Sequence, residues 1–220
     1  MTREQVRGHI QEIGVIPAVR VSSPDDALFA ADAVCEHGIP IVEVTMTVPG
    51  AIGVITELAR KNKRLIVGAG SIGSVETARQ CVEAGAAFLT STGLNLDVVR
   101  FAVSKNIVVF PGALTPSEVM AAWDAEPDFV KIFPCTAVGG PHYIRSLRGP
   151  FPHIPLIATG GVTQQTAADY IVAGAVALGI GSELIPPYAI QNRQQHRIGE
   201  LARRFLSIVR EARLPAAERV

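Results

Sequence analysis

Lys131 is the residue whose type and position most clearly suggest covalent chemistry. The chain has four lysines, and Lys131 alone stands inside an apolar run, at 129–133 (FVKIF). Burying an ammonium group is costly, and loss of water around the amine favours its uncharged form. An uncharged amine can attack a ketone and form an imine. Lys131 is therefore a candidate nucleophile, and the alternative is a lysine that only pairs with an acid or reaches out to solvent.

Glu43 interrupts a second apolar run, at 41–45 (IVEVT). A carboxylate in this position suits a general acid/base, because a lysine nucleophile needs a nearby group that moves protons. It also suits an ion-pair partner for Lys131 or Arg20, and the two roles are compatible. Thr45 lies two residues further on, so it shares a strand face with Glu43.

Arg20 and Ser71 follow two other apolar runs. Arg20 ends the first run of the chain, and Ser71 comes directly after the glycines of 68–70 (GAG). The planar guanidinium group of an arginine can bind a carboxylate through two parallel hydrogen bonds. Arg20 is thus a candidate ligand for a substrate carboxylate, and neutralisation of a buried acid is its structural alternative.

Two glycine-rich turns follow the last two apolar runs. Gly160 and Gly161 end one run, and Gly181 and Ser182 end the next. Barrel proteins often bind phosphate at these two strand ends, where backbone N–H groups face the ligand and glycine allows a close approach. No lysine or arginine immediately flanks either turn, and the neighbouring Glu183 would repel an anion if it pointed inward. The pattern predicts an anion site, with simple tight turns as the alternative.

The composition excludes several other classes of function. Of 220 residues, 48% are hydrophobic, 5% are aromatic, and twenty basic residues balance twenty acidic ones. Zero net charge and few aromatic residues argue against broad nucleic-acid binding. The five histidines and three cysteines are scattered without metal-ligand spacing or a C-x-x-C pair. We therefore expect no metal cofactor, no disulfide framework and a reducing compartment.

Membrane association is also not expected from the sequence. The N-terminal residues are charged and lack the 7–15-residue apolar stretch of a secretion signal. The run 170–182 is apolar and free of charge, but it is shorter than the roughly 20 residues that cross a bilayer. We expect a cytoplasmic protein that acts on a small molecule.

The apolar runs themselves predict the fold. They recur about every 23 residues and show no polar alternation, which is typical of strands buried on both faces of a parallel sheet. Signals for helix starts lie between them, such as the Ser-Pro pair at 23–24 and the capping box at 115–118. The predicted strands are 15–21, 40–45, 65–69, 86–90, 107–110, 129–133, 155–159 and 175–180.

Eight strands with intervening helices predict a single (β/α)₈ TIM barrel over residues 1–220. Among its helices we predict one at the N-terminus, one at 163–172 and a long amphipathic one at 191–213 at the C-terminus. A doubly wound open sheet is the alternative, but its usual six strands would leave two runs unexplained. The barrel would bring the strand-end residues named above to one face.

In these motifs the sequence resembles the 2-keto-3-deoxy-6-phosphogluconate (KDPG) / 4-hydroxy-2-oxoglutarate (KHG) aldolase family. The resemblance covers residues 13–185 without a large gap, and the ordered set of segments is more specific than any one of them. The segments are 19–20 (VR), 41–45 (IVEVT), 67–71 (VGAGS), 110–112 (FPG), 130–134 (VKIFP), 149–152 (GPFP), 159–162 (TGGV) and 179–182 (GIGS).

The resemblance implies a metal-free class I aldolase that forms a homotrimer. Lys131 matches the Schiff-base lysine and Glu43 the acid/base glutamate. Arg20 matches an arginine that holds the pyruvate carboxylate in one branch of the family, with Thr45 and Ser71 as further substrate-binding candidates. Gly160, Gly161 and Ser182 match phosphate-binding positions, next to Gly181.

Three positions depart from the family pattern. Thr47 stands where another branch has an arginine, so Arg20 is expected to bind the carboxylate here. Thr92 stands at a position that is often proline. Cys135 replaces a small residue or glycine, and we interpret it as a core residue rather than a nucleophile, since no histidine pairs with it in the sequence. These departures bear on substrate preference more than on reaction type.

The expected reaction is cleavage of a 2-keto-3-deoxy sugar acid, KDPG and/or KHG. Its products would be pyruvate and an aldehyde, which is glyceraldehyde 3-phosphate, as in the Entner–Doudoroff pathway, or glyoxylate. The alternatives are a 2-keto-3-deoxy-6-phosphogalactonate aldolase, an isomerase or epimerase acting on a phosphorylated sugar, and a barrel without catalytic activity, because a fold does not fix its chemistry.

Overall fold

The computed structural model describes residues 1–215, and it forms a parallel barrel of eight strands. Nine strand segments are present, because the fifth barrel strand is split at Pro111 into β5 and β6. The segments are β1 (Val15–Val19), β2 (Ile41–Thr45), β3 (Ile66–Gly70), β4 (Phe88–Thr90), β5 (Val108–Phe110), β6 (Gly112–Ala113), β7 (Val130–Ile132), β8 (Leu156–Thr159) and β9 (Ala175–Ile180).

Residues 108–113 close the barrel. β5 pairs with β4, and β6 pairs with β7. The carbonyl oxygen of Val109 accepts a hydrogen bond from the Asp128 N–H at 3.0 Å, and that of Pro111 accepts one from the Lys131 N–H at 2.9 Å. Because all pairs are parallel and this stretch bonds on both sides, the predicted (β/α)₈ barrel is confirmed and the open doubly wound sheet is wrong.

Helices connect the strands and cover the outside of the barrel. The predicted helix at the N-terminus is present, with Thr2 as the cap of a capping box, and Thr115 forms the second predicted capping box. The helices are α1 (Arg3–Ile13), α2 (Pro24–Glu36), α3 (Ala51–Lys61), α4 (Val75–Glu83), α5 (Leu96–Ser104), α6 (Pro116–Trp123), α7 (Pro141–Arg148), α8 (Ala167–Val172), α9 (Pro187–Gln191) and α10 (Gln195–Arg213), with a 3₁₀ turn at Thr136–Val138.

Two predicted helices begin later than their apolar pattern suggests. The segment 191–213 is broken: α9 ends at Gln191 and α10 starts at Gln195, with Arg193 between them at a φ of +49°. The segment 163–172 becomes helical only at Ala167, and the residues before it form a turn in which Thr166 Oγ1 accepts the Thr163 N–H at 3.0 Å. Residues 216–220 of the predicted single domain lie outside the described residues.

A group of aromatic rings fills part of the barrel interior. The rings of Phe88 and Phe110 stack at 5.3 Å between centroids, and Phe129 meets Phe110 edge-on at 5.9 Å. The Arg7 guanidinium of α1 lies 6.0 Å from the Phe129 ring centroid. In residues 1–215, no helix has both the length and the apolar character of a membrane span.

Candidate active site

Lys131 lies at the centre of β7, and its side chain is only 7% exposed. Its Nζ atom is 3.2 Å from Thr90 Oγ1, 4.0 Å from Glu43 Oε1 and 5.6 Å from the centroid of the Phe133 ring. The predicted buried lysine is thus present, in a pocket that is polar on two sides and aromatic on a third. A nucleophilic amine needs this kind of enclosed setting, with a proton-transfer group nearby.

Glu43 faces Lys131 from β2, and its side chain is 5% exposed. The neighbouring strand makes room for it, since a β-carbon on Gly70 would lie 2.0 Å from Glu43 Oε1. Gly70 is therefore required for the observed direction of the carboxylate. The 4.0 Å separation from Lys131 Nζ is longer than a charge-assisted hydrogen bond, so the carboxylate oxygens keep capacity for substrate atoms or water.

Thr90 is the site residue that sequence reasoning missed. It ends β4, is 1% exposed, and accepts the hydrogen bond from Lys131 Nζ. A signal was present, because Thr90 is a polar residue at the end of an apolar run, like Arg20 and Thr45. Threonine is also frequent in strands for reasons of packing alone, and this weakens the signal.

Arg20 lines the same cavity as the four predicted anion-binding residues Gly160, Gly161, Gly181 and Ser182. The cavity has a volume of about 350 Å³ and opens at the strand ends. Arg20 is exposed, and within residues 1–215 it forms no ion pair or hydrogen bond, so its five donors are available to a ligand.

The fold therefore places a cation beside the predicted anion site, although no lysine or arginine immediately flanks its two turns in the sequence. The pairing of β1 with β9, which sets Pro17 beside Ile180, places Arg20 next to the turn after β9. Glu183 also lines the cavity, so one acidic group lies near the same space.

The Gly160–Gly161 turn is shaped by its neighbours in the loop after β7. Both glycines have a positive φ, +93° and +80°. A β-carbon on Gly161 would lie 2.4 Å from Thr136 Oγ1, and one on Gly160 would lie 3.0 Å from the Pro134 backbone. The Thr136 N–H donates to the Gly160 carbonyl oxygen at 3.1 Å. Side chains are excluded here, which leaves the backbone as the surface that a ligand meets.

A small buried network lies behind this turn. The Cys135 thiol is 3.3 Å from both the Gly160 carbonyl oxygen and the Tyr170 hydroxyl, and that hydroxyl is 3.0 Å from Thr136 Oγ1. Burial raises the pKa of the Cys135 thiol and raises the pKa of Tyr170 to about 12. Both groups therefore stay protonated at neutral pH, which agrees with a core role for Cys135 rather than a nucleophilic one.

Thr45 and Ser71 lie at the ends of β2 and β3. The Thr45 hydroxyl is fully buried, donates to the Val19 carbonyl oxygen at 3.0 Å and lies 2.7 Å from Thr47 Oγ1. It ties β2 to the strand that carries Arg20. Ser71 is half-buried, has a φ of +61° and directly follows Gly70. Their part in substrate binding stays a prediction.

Phe133 connects the two parts of the site. Its ring is near Lys131 Nζ and also lines the cavity that holds Arg20 and the glycines. A larger cavity of about 700 Å³ lies beside α1, where Arg3 and Asp128 pair at 2.9 Å, and its lining includes neither Lys131 nor Glu43. In the described part of the chain, no three His, Cys, Asp or Glu side chains are grouped so that they could hold a metal ion.

A buried lysine beside a carboxylate, at the ligand-binding face of a (β/α)₈ barrel, is the arrangement of a class I aldolase. Enzymes of this class break a carbon–carbon bond through an imine between the lysine and a ketone. The sequence profile of the KDPG and KHG aldolase family matches residues 6–201.

Individual relatives agree with this class. The KHG/KDPG aldolase of Escherichia coli (strain K12) is 32% identical over 86% of this chain and 89% of its own. The structure of native KDPGal is 30% identical, with a TM-score of 0.82 over 90% of this chain and 95% of its own. The Legionella pneumophila KDPG aldolase, with pyruvate captured as a covalent carbinolamine, is 28% identical. Its TM-score is 0.83, and the match covers 89% of this chain and 95% of its own. The chain belongs to the KDPG and KHG aldolase family, and it is a carbon–carbon lyase.

Proposed function

We propose that the chain cleaves a 2-keto-3-deoxy sugar acid, KDPG and/or KHG, to pyruvate and glyceraldehyde 3-phosphate or glyoxylate. The observation that carries this proposal is the buried pair of Lys131 and Glu43, whose reactive atoms lie 4.0 Å apart. The amine supplies the nucleophile, and the carboxylate supplies the proton transfers of each step. The covalent pyruvate adduct of the Legionella pneumophila relative supports the same chemistry.

The first half of the reaction builds an electron sink. The Lys131 amine attacks the C2 ketone, so that a C–N bond forms and the carbonyl oxygen takes up a proton. Loss of water from this carbinolamine gives an iminium ion. Glu43, through a water molecule, accepts the proton of the C4 hydroxyl. The C3–C4 bond then breaks, its electron pair moves into the iminium, and the aldehyde leaves.

The second half restores the enzyme. The remaining enamine takes a proton from Glu43 at the methylene carbon and becomes an iminium ion again. Water adds to it, the C–N bond breaks, and pyruvate is released from the free Lys131 amine. Glu43 serves several steps because each step leaves it in the protonation state that the next one needs.

Two groups of residues are assigned to substrate binding. Arg20, with Thr45 and Ser71, would hold the carboxylate of the keto acid. Gly160, Gly161, Gly181 and Ser182 would hold a phosphate through backbone N–H groups and a hydroxyl. The shared cavity of Arg20 and these four residues supports an anionic ligand there. We therefore propose a preference for the phosphorylated keto acid.

We further propose a homotrimer, as the family resemblance implies, that acts in the cytoplasm and within the Entner–Doudoroff pathway. The C4 epimer of KDPG, 2-keto-3-deoxy-6-phosphogalactonate, is the alternative substrate, and the likeness to the native KDPGal structure favours testing it.

The substrate is tested by pyruvate release from a panel of keto acids. The panel holds KDPG, its C4 epimer, the unphosphorylated counterpart of each, and KHG. We expect the largest kcat/KM for a phosphorylated compound. A larger value for an unphosphorylated acid would remove the phosphate assignment and favour a KHG-type substrate. No pyruvate from any compound would contradict the proposed function itself.

A further inference from the structure

Thr90 contacts the atom that becomes covalently bonded to substrate. We propose that Thr90 is a further catalytic residue, whose hydroxyl holds the Lys131 amine in the orientation needed to attack the ketone. The proposal rests on the function proposed above, because it assigns a role toward the imine-forming lysine. It concerns the rate of carbinolamine formation, not the identity of the substrate.

The contact geometry makes Thr90 the principal restraint on the amine. The distance of 3.2 Å between Lys131 Nζ and Thr90 Oγ1 is that of a hydrogen bond, whereas Glu43 Oε1 is 4.0 Å away. Among residues 1–215, Thr90 is the only hydrogen-bond partner of this amine. One N–H is thus directed to Thr90. The remaining positions on the nitrogen, one of which must carry the lone pair that attacks a ketone, point away from Thr90.

The hydroxyl of Thr90 is not explained by packing. Thr90 is 1% exposed, and valine would fill the same volume without the cost of burying a polar group. Among the described residues, the only hydrogen bond of the Thr90 side-chain oxygen is the one that it accepts from Lys131 Nζ. Threonine is branched at the β-carbon and therefore stiff in a strand, so the direction of its oxygen is fixed. A fixed, buried hydroxyl whose partner is the reacting nitrogen is suited to orienting that nitrogen.

Orientation matters because a lysine side chain is long and flexible. An amine that is free to rotate spends little time in line with the ketone carbon, and a misplacement of about 1 Å can cost roughly 10²-fold in rate. Glu43 contributes charge at 4.0 Å but gives less directional control than a hydrogen bond. Thr90 supplies that direction from β4.

Two substitutions at Thr90 separate the hydroxyl from the shape of the side chain. Thr90→Val keeps the volume and removes the hydroxyl, whereas Thr90→Ser keeps the hydroxyl and removes a methyl group. Thr56→Val on α3 is the matched control, since within residues 1–215 the exposed Thr56 hydroxyl bonds only to the Ile52 carbonyl oxygen. The rate of pyruvate adduct formation is measured by borohydride quenching at a series of times, together with kcat and KM for cleavage.

We expect Thr90→Val to slow adduct formation and kcat roughly 10–100-fold, with a much smaller change in KM. Thr90→Ser should stay within a few-fold of the parent chain, and Thr56→Val should match it. Equal rates for Thr90→Val and Thr56→Val would overturn the proposal, as would a serine variant as slow as the valine variant. If the valine variant does not fold, Thr90→Ala against Thr90→Ser gives the same comparison. Absence of any adduct in the parent chain would instead contradict the proposed function.

Discussion

The barrel mouth combines two regions that are built in opposite ways. The lysine region consists of Lys131, Glu43 and Thr90, whose functional atoms belong to side chains that are at most 7% exposed. The glycine region consists of Gly160, Gly161, Gly181 and Ser182, where backbone groups face an open cavity beside Arg20. Phe133 lines the boundary between them.

The difference matches the roles that we propose for the two regions. Proton transfer and nucleophilic attack need particular side chains held away from water, because desolvation strengthens the interactions among them. An anion can be recognised by backbone N–H groups, provided that side chains stay out of the way. The lysine region should therefore respond strongly to changes of chemical group, and the glycine region to changes of charge and backbone position.

The largest effect is expected from Glu43→Gln, which keeps the shape of the side chain and removes its proton transfers. Cleavage should fall by roughly 10²–10⁴-fold, the usual contribution of a general acid/base, while some pyruvate adduct still forms. Cleavage rates and borohydride trapping measure the two steps separately. Glu76→Gln on the surface helix α4 is the control. Near-normal cleavage would make Glu43 a structural partner of Lys131 only.

Ser182→Asp tests the glycine region with a negative charge. Repulsion of a bound phosphate across about 4 Å amounts to roughly 1–4 kcal/mol, so KM for a phosphorylated substrate should rise about 10–100-fold. KM for an unphosphorylated acid should change far less, and Ser182→Asn, which adds similar bulk without charge, should affect both mildly. An equal rise in KM for the two substrates would contradict a phosphate site in the glycine region.

Arg20→Lys tests which end of the substrate this arginine binds. If Arg20 holds the carboxylate, one ammonium cannot replace the bidentate contact, and trapping with pyruvate should need about ten-fold more pyruvate. Arg60→Lys on the exposed part of α3 is the control. Unchanged trapping together with a raised KM for the phosphorylated substrate would indicate that Arg20 binds the phosphate and not the carboxylate.

The smallest effect is expected from Tyr170→Phe. The change removes the hydroxyl that lies 3.0 Å from Thr136 Oγ1 and 3.3 Å from the Cys135 thiol. We expect a loss of about 1 kcal/mol in the free energy of unfolding, and a rise of about 2–5-fold in KM for a phosphorylated substrate. Urea unfolding measures the change in free energy, and steady-state kinetics measure the change in KM. Tyr188→Phe, at an exposed position, is the control. A fall in the rate of pyruvate trapping would show that the two regions are coupled more tightly than their separation suggests.

The strands and the lysine region could be predicted because buried parallel strands leave a direct pattern in sequence. Eight apolar runs mark the eight barrel strands, and a charged residue inside such a run, as at Glu43 and Lys131, is conspicuous. The split of the fifth strand at Pro111 was not predicted, since β6 has only two residues. The helix break around Arg193 was missed because the amphipathic pattern continues through it.

The relation between Arg20 and the glycine region could not be predicted in the same way. Arg20 directly follows β1 and Ser182 follows β9, and these two strands meet only when the barrel closes. The contact of Thr90 with Lys131 could not be predicted for a different reason, because the β propensity of threonine explains its presence in a strand without reference to Lys131. Barrel closure and the direction of a side chain are properties of the folded chain, and local sequence patterns do not predict them.

We expect Lys131 to form the covalent bond to substrate, and trapping with pyruvate is the direct test of this bond. The parent chain and a Lys131→Met variant are incubated with pyruvate and borohydride, and the adduct is located by peptide mass mapping. We expect one reduced adduct, on Lys131, and none in the variant, which should still fold because methionine suits a buried strand. An adduct on Lys61, Lys63 or Lys105, or no adduct on the parent chain, would contradict the account.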